Sequence, residues 1–499
     1  MRKLLVMMIL AITSSSIAWC QNGTKLIGYD AVTSGRGGTA TGIFDNPSLM
    51  MNNPAGLAFL PSSQGDLSIS LMAPRVYFKN SLNDAKGEDN YFPLGSISYA
   101  KKPEGNWTYG FGVFTQGGMG ADFTLNHELY RDEDGEMVVQ PYHSKFAVMQ
   151  GGGSVAYKIN DWMSAGITAN IIYGQVEFGM PMSMPPSLLK GIIDPQTGMT
   201  FGDLFGSPNE YGGLGYSELV ASANMESLEA FGLNGKIGLA FKPNEKVSLG
   251  INYTLPVDLK YKDGIASMDM SYQMNHAFQR VVNMIMLQNP NTAPQDAQQM
   301  ALGMFSQMGI DFSKGAVDQF DAKAKFGLPQ SLSAGASLKA SKKITIALDA
   351  EWINWKQAFD QMDIDLSNGK NDNINTMVGT EGTLSMAFPM YWENSIVIRS
   401  GVEYNAGRKL TMRGGYVYGS NPVPAKTIFP VFPAVVEHHL TAGFTAKISK
   451  AFHLNGAYEY AFRNDKTASG QSLVANEYNN SSSGLENHIF HFSLSWLVK

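Results

Sequence analysis

The chain has 499 residues, a formal net charge of −6 and one cysteine, Cys20. This charge argues against nucleic acid as a partner, and a single cysteine excludes an internal disulfide and a cysteine-based metal site. Charged residues make up 16% of the chain, against roughly 25% in ordinary soluble domains, and no apolar run beyond the first twenty residues is long enough for a transmembrane helix.

The first twenty residues predict a secretory signal peptide, because a basic start, an apolar stretch and a small-residue region follow one another. The apolar stretch is too short to span a membrane. We expect cleavage after Ala18 or after Cys20, and we favour Cys20 because it leaves a polar mature start. Lipidation of Cys20 is an alternative, which the bulky neighbour Trp19 disfavours.

Apolar and polar residues alternate along much of the remaining chain, as they do in Trp107–Val113. This period of two predicts β-strands. Most of the segments span ten residues or more, which exceeds the usual globular strand of roughly 5–6 residues but suits a tilted membrane strand of about 9–11. The fourteen predicted strands lie at 66–78, 91–101, 106–115, 145–158, 162–178, 229–242, 246–256, 329–341, 343–355, 394–405, 408–418, 437–448, 452–463 and 486–498.

The predicted connections alternate between short turns and long loops, which is typical of an outer-membrane β-barrel with an even number of strands. The fold prediction is therefore all-β: an antiparallel transmembrane barrel of about fourteen strands in the cell outer membrane, with partly helical extracellular loops. Such a barrel encloses a lumen wider than side chains fill. We expect residues 1–20 to be the signal peptide, 21–63 an N-terminal hatch that plugs the lumen, and 64–499 the barrel. The long loops are expected at 79–90, 116–144, 179–228, 257–328, 356–393, 419–436 and 464–485.

Two segments carry a resemblance to a known family. Glycines crowd residues 35–42, ahead of Asn53, Pro54 and Ala55, and the strand end Leu348–Trp355 combines acidic residues with two tryptophans. Together these features resemble the FadL/TodX family of outer-membrane transporters. The resemblance implies that Asn53, Pro54 and Ala55 belong to the hatch. It also implies passive uptake of hydrophobic compounds such as long-chain fatty acids, by a monomer surrounded by outer-membrane lipid and lipopolysaccharide. A surface binding or adhesion barrel without transport is the alternative.

Strand parity turns three basic side chains towards the lumen: Lys236, Arg399 and Arg413. Any of them could pair with the carboxylate of a fatty acid. The alternative, which we favour for lumen charges in general, is a salt bridge with Glu351 or Glu403 that braces the wall or the plug.

The largest loop contains apolar residues at helical spacing, which predicts an amphipathic helix over 292–310 and a second helix before it. Methionine is flexible and polarizable, so such a surface suits varied apolar ligands. The alternative is that the helices only pack on one another over the barrel mouth. The candidate ligand-binding residues here are Met300, Met304, Phe305, Met308, Phe278 and Ile285.

Enzymatic motifs are missing from the sequence, which has no zinc spacing, P-loop or nucleophile elbow, so we expect neither catalysis nor a cofactor. His438 and His439 are adjacent on a predicted strand and point to opposite faces, which disfavours a shared metal ion. Asp349 and Glu351 share one face, where solvated lumen carboxylates are the favoured interpretation.

Overall fold

The computed structural model describes residues 22–132, 134–468 and 470–498. The predicted signal peptide and both of its expected cleavage points lie outside the described residues. Among the residues that are described, no helix is both long and apolar enough to cross a membrane.

Strands dominate the described chain. In chain order they are β1 (Ser63–Lys79), β2 (Asp84–Lys86), β3 (Phe92–Lys101), β4 (Trp107–Arg131), β5 (Met137–Lys158), β6 (Met163–Met184), β7 (Ile192–Asp194), β8 (Met199–Thr200), β9 (Leu219–Phe241), β10 (Val247–Thr254), β11 (Val257–Asp269), β12 (Val317–Leu328), β13 (Ser331–Lys339), β14 (Ile344–Ile353), β15 (Gln361–Ser367), β16 (Leu384–Pro389), β17 (Ser395–Asn405), β18 (Leu410–Gly419), β19 (His438–Lys447), β20 (Phe452–Thr467) and β21 (Ser482–Val498).

Fourteen of these strands close into one antiparallel barrel. Each pairs with the next in the order β1, β3, β4, β5, β6, β9, β10, β13, β14, β17, β18, β19, β20 and β21. The last strand, β21, pairs back with β1 along its whole length and so closes the ring. The prediction of a fourteen-stranded antiparallel barrel is confirmed, with every predicted strand in its place.

The outer surface of the barrel is apolar. Phe111 on β4 is 63% exposed, and Leu233 on β9 is 77% exposed, whereas along each strand the alternate positions, such as Thr108 on β4 and Lys236 on β9, face inward and are buried. Aromatic rings gather at the short-turn end of this surface, where the centroids of Trp107 and Tyr157 are 4.7 Å apart. An apolar band with an aromatic margin is the surface that lipid requires.

Besides the short β2, which pairs with the end of β1, a run of four strands extends the wall beyond the barrel at the long-loop end. The upper part of β9 pairs with β11, and the sheet continues through β12 and β15 to β16. These strands lie in 257–328 and 356–393, which the sequence predicted as loops and helices only. Their exposed faces carry charges instead of lipid-facing apolar residues, so they lack the pattern that identified the barrel strands.

The helices of the described residues lie in the lumen and at the long-loop end. Two α-helices in the largest loop, Ser271–Gln288 and Pro294–Gln307, form a pair that we call the lid helices. This arrangement agrees with the prediction of partly helical outer loops. In the described part of the chain, the other α-helices are Ala31–Gly35, Leu49–Asn52, Phe201–Gly206, Trp355–Ala358 and Asp372–Val378, and the 3₁₀ helices are Pro54–Phe59, Pro186–Leu188, Asn209–Tyr211, Phe312–Lys314, Ala425–Thr427 and Asn476–Tyr478.

Residues 22–62, which we call the plug segment, lie inside the barrel and are almost entirely buried. The helix Ala31–Gly35 packs on β18 to β21, and the 3₁₀ helix Pro54–Phe59 packs on β4, β5, β6 and β9. The segment therefore touches opposite sides of the wall and occupies the lumen. Wall glycines permit this fit, since a Cβ at Gly250 would lie 1.8 Å from the carbonyl oxygen of Thr41.

Candidate functional site

Asn53 forms hydrogen bonds both within the plug segment and to the barrel wall. Its side-chain oxygen accepts a hydrogen bond from the N–H of Ala55 at 3.2 Å, which caps the 3₁₀ helix that begins at Pro54. Its amide nitrogen donates to the carbonyl oxygens of Thr41 and of Leu239 on β9, both at 3.0 Å. Asn53, Pro54 and Ala55 are all buried, so this short motif sets the position of the plug against one side of the barrel.

Strand β14, three strands further round the wall from β9, also holds the plug segment, through two carboxylates. Asp349 accepts hydrogen bonds at 2.8 Å from the backbone N–H groups of Ala40 and Thr41. Glu351 forms an ion pair with Lys25 of the plug and accepts a second charged bond, at 2.8 Å, from Arg399 on β17. The two carboxylates thus anchor the plug, and both are buried, so the prediction of solvated lumen carboxylates is wrong.

Arg413 also pairs with a wall carboxylate, since its Nε donates to Glu403 at 2.8 Å. Nearby, Arg36 of the plug is 1% exposed and binds Asp45 through both guanidinium nitrogens, one of them at 2.9 Å. Arg399 and Arg413 therefore form the salt bridges that the sequence favoured. Neither guanidinium is left without a carboxylate partner, so these two candidates fit a bracing role better than ligand binding.

Lys236 differs from the two arginines. It is 3% exposed, and its ammonium donates to the hydroxyl of Thr254 at 2.9 Å. Among the described residues no carboxylate lies within ion-pair distance of it. The ammonium borders a narrow cavity whose walls include Val148, Leu328, Ile353 and Trp355. A buried cation without an anion is energetically costly, so this position is suited to receive one.

Aromatic side chains connect this cavity to the long-loop end. The ring of Trp355 lies 5.5 Å from that of Phe359, which stacks on Trp392 at 4.5 Å. Phe326 lies 5.5 Å from Phe359 and 5.3 Å from Phe146 on β5. A second narrow cavity opens among these rings, bounded also by Met362, Met390 and Phe432. We call the set Phe146, Phe326, Trp355, Phe359 and Trp392 the aromatic column.

The sequence did not place Phe146 or Phe326 among its candidate ligand-binding residues. Both are inward residues of strands, Phe146 on β5 and Phe326 on β12. Strand parity identifies an inward side chain but not its height in the lumen or its neighbours across the barrel. Phe326 also belongs to a strand that the sequence predicted as loop.

The lid helices meet through small residues. Ala277 of the first helix and Ala297 and Ala301 of the second are completely buried, and Phe305 beside them is 3% exposed. The ring of Phe305 lies 6.3 Å from that of Phe278, so the two aromatic candidates pack together. Ile285 is buried and Met308 is partly buried against the same core.

Met300 and Met304 depart from the expected arrangement. They are 50% and 48% exposed, so they do not share the buried face with Phe305 as predicted. The small alanines allow the two helices to approach each other closely. The longer methionines lie outside this helix–helix contact. Both point to the outside of the lid, while Phe278, Ile285 and Phe305 form its interior.

One basic side chain, Arg280, lies on the first lid helix. The guanidinium of Arg280 lies 4.1 Å from the ring centroid of Tyr216, whose hydroxyl is 2.9 Å from Nδ1 of His276. Burial, aided by the nearby positive charge of Arg280, holds the pKa of His276 below its ordinary value. Arg280 is thus the charged member of this group at neutral pH.

The wall carries an irregularity beside the cavity that Lys236 borders. The register between β4 and β5 shifts between Thr115 and Gly117, and Lys25 of the plug forms an isolated bridge with Gly117. Gly117 also lines the cavity. Because a bulge bends a strand and interrupts its ladder, the wall is locally irregular where it borders this cavity.

Metal ligands are not grouped in this molecule: within the three described ranges no set of three or more His, Cys, Asp or Glu side chains could hold an ion. His438 contacts Tyr416 on the outer surface, at 2.6 Å from its hydroxyl, whereas His439 faces inward and lies 3.0 Å from Glu459. The pair therefore points to opposite faces, as strand geometry requires.

Comparison with solved structures gives close agreement in fold at low sequence identity. The toluene transporter TodX of Pseudomonas putida is 18% identical, with 97% of this chain and 100% of that chain covered and a TM-score of 0.66. A FadL homologue from Pseudomonas aeruginosa is 16% identical, with 95% and 99% covered and a TM-score of 0.66. The toluene transporter TbuX of Ralstonia pickettii is 16% identical, with 94% and 98% covered and a TM-score of 0.60.

A search of curated proteins found no match. The family model described as outer membrane protein transport protein (OMPP1/FadL/TodX) matches residues 15–495, nearly the whole chain. The plugged barrel, its apolar belt and this match lead to one conclusion: the chain is an outer-membrane β-barrel that belongs to the OMPP1/FadL/TodX family of transport proteins.

Proposed function

We propose that this protein takes up hydrophobic compounds with an acidic head group, such as long-chain fatty acids, by passive diffusion. The observation that carries the proposal is the buried ammonium of Lys236, which has no carboxylate within ion-pair distance among the described residues and borders a narrow cavity walled in part by apolar side chains. A fatty-acid carboxylate would supply the missing anion, and the alkyl chain would fill the apolar space. Family membership supports transport, and two of the similar structures are named as toluene transporters.

The path begins at the lid helices and follows the aromatic column inward to Lys236. The lid exposes Met300 and Met304 to the outside, where a ligand would first arrive, and the lid interior of Phe278, Ile285 and Phe305 leads into the buried core. The apolar rings of the aromatic column would keep the free-energy cost of moving an alkyl chain past them low. In this proposal Arg399 and Arg413 hold the wall and plug together and do not bind the ligand.

The plug segment closes the lower end of the path. We propose that residues 21–63 act as the hatch of a monomeric barrel formed by residues 64–499, that residues 1–20 are the export signal, and that the protein catalyses no reaction. Exit would require either a shift of the hatch or passage through the wall. The bulge at Gly117 favours the wall, because it adjoins the cavity and is bridged by Lys25, near the start of the plug.

Lys236→Met tests the proposal directly, since methionine keeps the length of the side chain and removes its charge. We expect oleate binding to the purified barrel to weaken about tenfold, in line with the loss of one charged hydrogen bond of about 1.5–3 kcal/mol. Binding of a neutral hydrocarbon of similar length should stay unchanged or improve. Lys242→Met, at an exposed periplasmic turn and paired with Glu245 at 3.3 Å, is the matched control.

Uptake into proteoliposomes separates transport from surface binding. Oleate entry should fall in the Lys236 variant and persist in the Lys242 variant. Equal oleate binding by both variants would refute a carboxylate site at Lys236. Binding without entry by the unmodified protein would favour the adhesion alternative.

A further inference from the structure

Three phenylalanine rings meet in the middle of the aromatic column. The ring centroids of Phe146 and Phe326 are 5.3 Å apart, those of Phe326 and Phe359 are 5.5 Å apart, and those of Phe146 and Phe359 are 6.2 Å apart. A methylene carbon between two rings needs about 7–8 Å between the ring atoms that face it, which is two carbon–carbon contacts of roughly 3.5–4.0 Å. The three rings therefore leave no gap for an alkyl chain between them. We call these three residues the ring triad.

The ring triad separates the two narrow cavities of the uptake path. Phe146 and Phe326 line the upper cavity, and the third member of the triad lines it as well. Two residues further along the same strands, Val148 on β5 and Leu328 on β12 line the lower cavity, which Lys236 borders. Alternate residues of a strand share one face and are about 6–7 Å apart, so the triad lies one inward position above the lower cavity.

Two rings of the triad are held in place from behind. Phe326 stacks on Tyr261 at 4.6 Å, with an angle of 17° between the ring planes. Phe359 stacks on Trp392 at 4.5 Å and forms an edge-to-face contact with Trp355 at 5.5 Å. Each of these three supporting side chains is at most 1% exposed. Because protein interiors are close-packed, neither Phe326 nor Phe359 can turn aside without displacing a second buried ring.

Phe146 is the member of the triad that has room to move. Among the described residues, its ring–ring contacts are the two within the triad. Its cross-strand neighbours on the inward face are Met119 on β4 and Val176 on β6, which are buried and not aromatic. Methionine has three rotatable side-chain bonds and adapts its shape to its surroundings. A rotamer change of Met119 can therefore make space for the ring of Phe146.

We propose that Phe146 is a width-selective gate on the uptake path, which turns aside for one unbranched alkyl chain and excludes branched and fused-ring compounds. A single chain needs one ring to move, whereas a wider molecule must also displace Phe326 or Phe359 against the rings behind them. The gate rests on the proposed function, since it presupposes uptake along the aromatic column. It acts on the hydrocarbon part of the ligand alone, so it is separate from the carboxylate site at Lys236. The substrate class that it selects is the straight-chain acid.

Entry of two carboxylic acids of different width into proteoliposomes tests the gate, with the rates in protein-free vesicles subtracted. Palmitate has one straight chain, whereas abietate carries its carboxylate on three fused rings. We expect the original protein to admit palmitate at least about tenfold faster, because forcing a second packed ring from its place raises the barrier. Phe146→Ala should bring the two rates to within about threefold of each other by accelerating abietate. Phe123→Ala is the matched control and should leave both rates unchanged, because Phe123 is also a buried inward phenylalanine but contacts Phe78, at 6.4 Å, outside the triad.

A second variant separates gating from misfolding. Phe146→Leu keeps most of the buried volume, so it should fold like the original barrel, as judged by heat-dependent gel migration, and show an intermediate ratio of the two rates. Lys236→Met should slow both acids and leave their ratio unchanged, since both carry a carboxylate. An unchanged ratio in the folded Phe146 variants, or the same change in Phe123→Ala, would overturn the gate and leave the proposed function in place. If neither acid enters through the original protein, both proposals are wrong.

Discussion

The carbonyl oxygen of Thr24 lies so close to Gly117 that a Cβ added to this glycine would be 1.9 Å from it. The first residues of the plug therefore pack directly against backbone atoms at the bulge of β4, where Gly117 has no side chain. Gly117→Ala should push these residues away and break the bridge to Lys25, while leaving the strands on either side intact. We expect a higher ion conductance of the purified barrel in planar bilayers, because the plug no longer seals against this part of the wall.

A glycine on the neighbouring strand provides the control for that experiment. At Gly153 of β5 an added Cβ would meet nothing nearer than Phe111 at 3.6 Å, an ordinary contact. Gly153→Ala should keep the conductance of the original protein. If Gly117→Ala does the same, the contact with Thr24 does not seal the lumen.

Glu351→Gln should destabilise the protein strongly, because Glu351 is 5% exposed and pairs with two cations. The substitution leaves Arg399, itself 6% exposed, without a charged partner, and breaking a buried pair in this way costs about 3–5 kcal/mol. Urea unfolding of the barrel in lipid vesicles measures the loss. Glu393→Gln, at an exposed position, should be nearly neutral, and an equal effect of both changes would count against a specific anchoring role.

The barrel was predictable because lipid imposes a simple rule on the sequence. In Trp107–Val113 every second residue is apolar and exposed, and this repetition identified the strands without any knowledge of their partners. Above the membrane the rule no longer applies. Lys260 and Asp365 lie on regular strands whose outer faces are charged, and a strand of this kind looks like a loop in the sequence.

The candidate site was predictable only in part, for reasons of geometry. Parity placed Lys236, Arg399 and Arg413 in the lumen correctly, but whether a lumen cation is paired depends on residues far away in sequence. Arg399 meets Glu351 because β14 and β17 are neighbours across a long insertion, whereas Lys236 meets only the hydroxyl of Thr254. Helical spacing likewise identified the lid helices and buried residues such as Phe305, but it wrongly placed Met300 and Met304 on the same face.

Phe305→Ala should loosen the lid without affecting the barrel. The ring of Phe305 packs between those of Phe278 and Phe312, at 6.3 Å and 5.2 Å, and truncating a buried phenylalanine costs about 3–5 kcal/mol. Hydrogen exchange should accelerate in both lid helices and stay unchanged in the barrel strands. Met304→Ser, at a position 48% exposed, should leave exchange as it is; a loosened lid in this variant would mean that the outward methionines also stabilise the helix pair.

Phe111→Arg tests the assignment of the lipid-facing surface. Phe111 is 63% exposed near the middle of an apolar row on β4 that begins at Trp107 and ends at Val113. A charge placed there must either remain in the hydrocarbon or reach along the strand to the interface, and either outcome costs free energy. For arginine at the bilayer midplane the cost is about 2–4 kcal/mol, and it falls towards zero near the head groups. Equilibrium folding titrations in phospholipid vesicles should show this loss, while Phe111→Leu should lie within about 1.5 kcal/mol of the original protein. A neutral result for arginine would place Phe111 at the interface or outside lipid, and it would require a shift of the whole membrane boundary along β4.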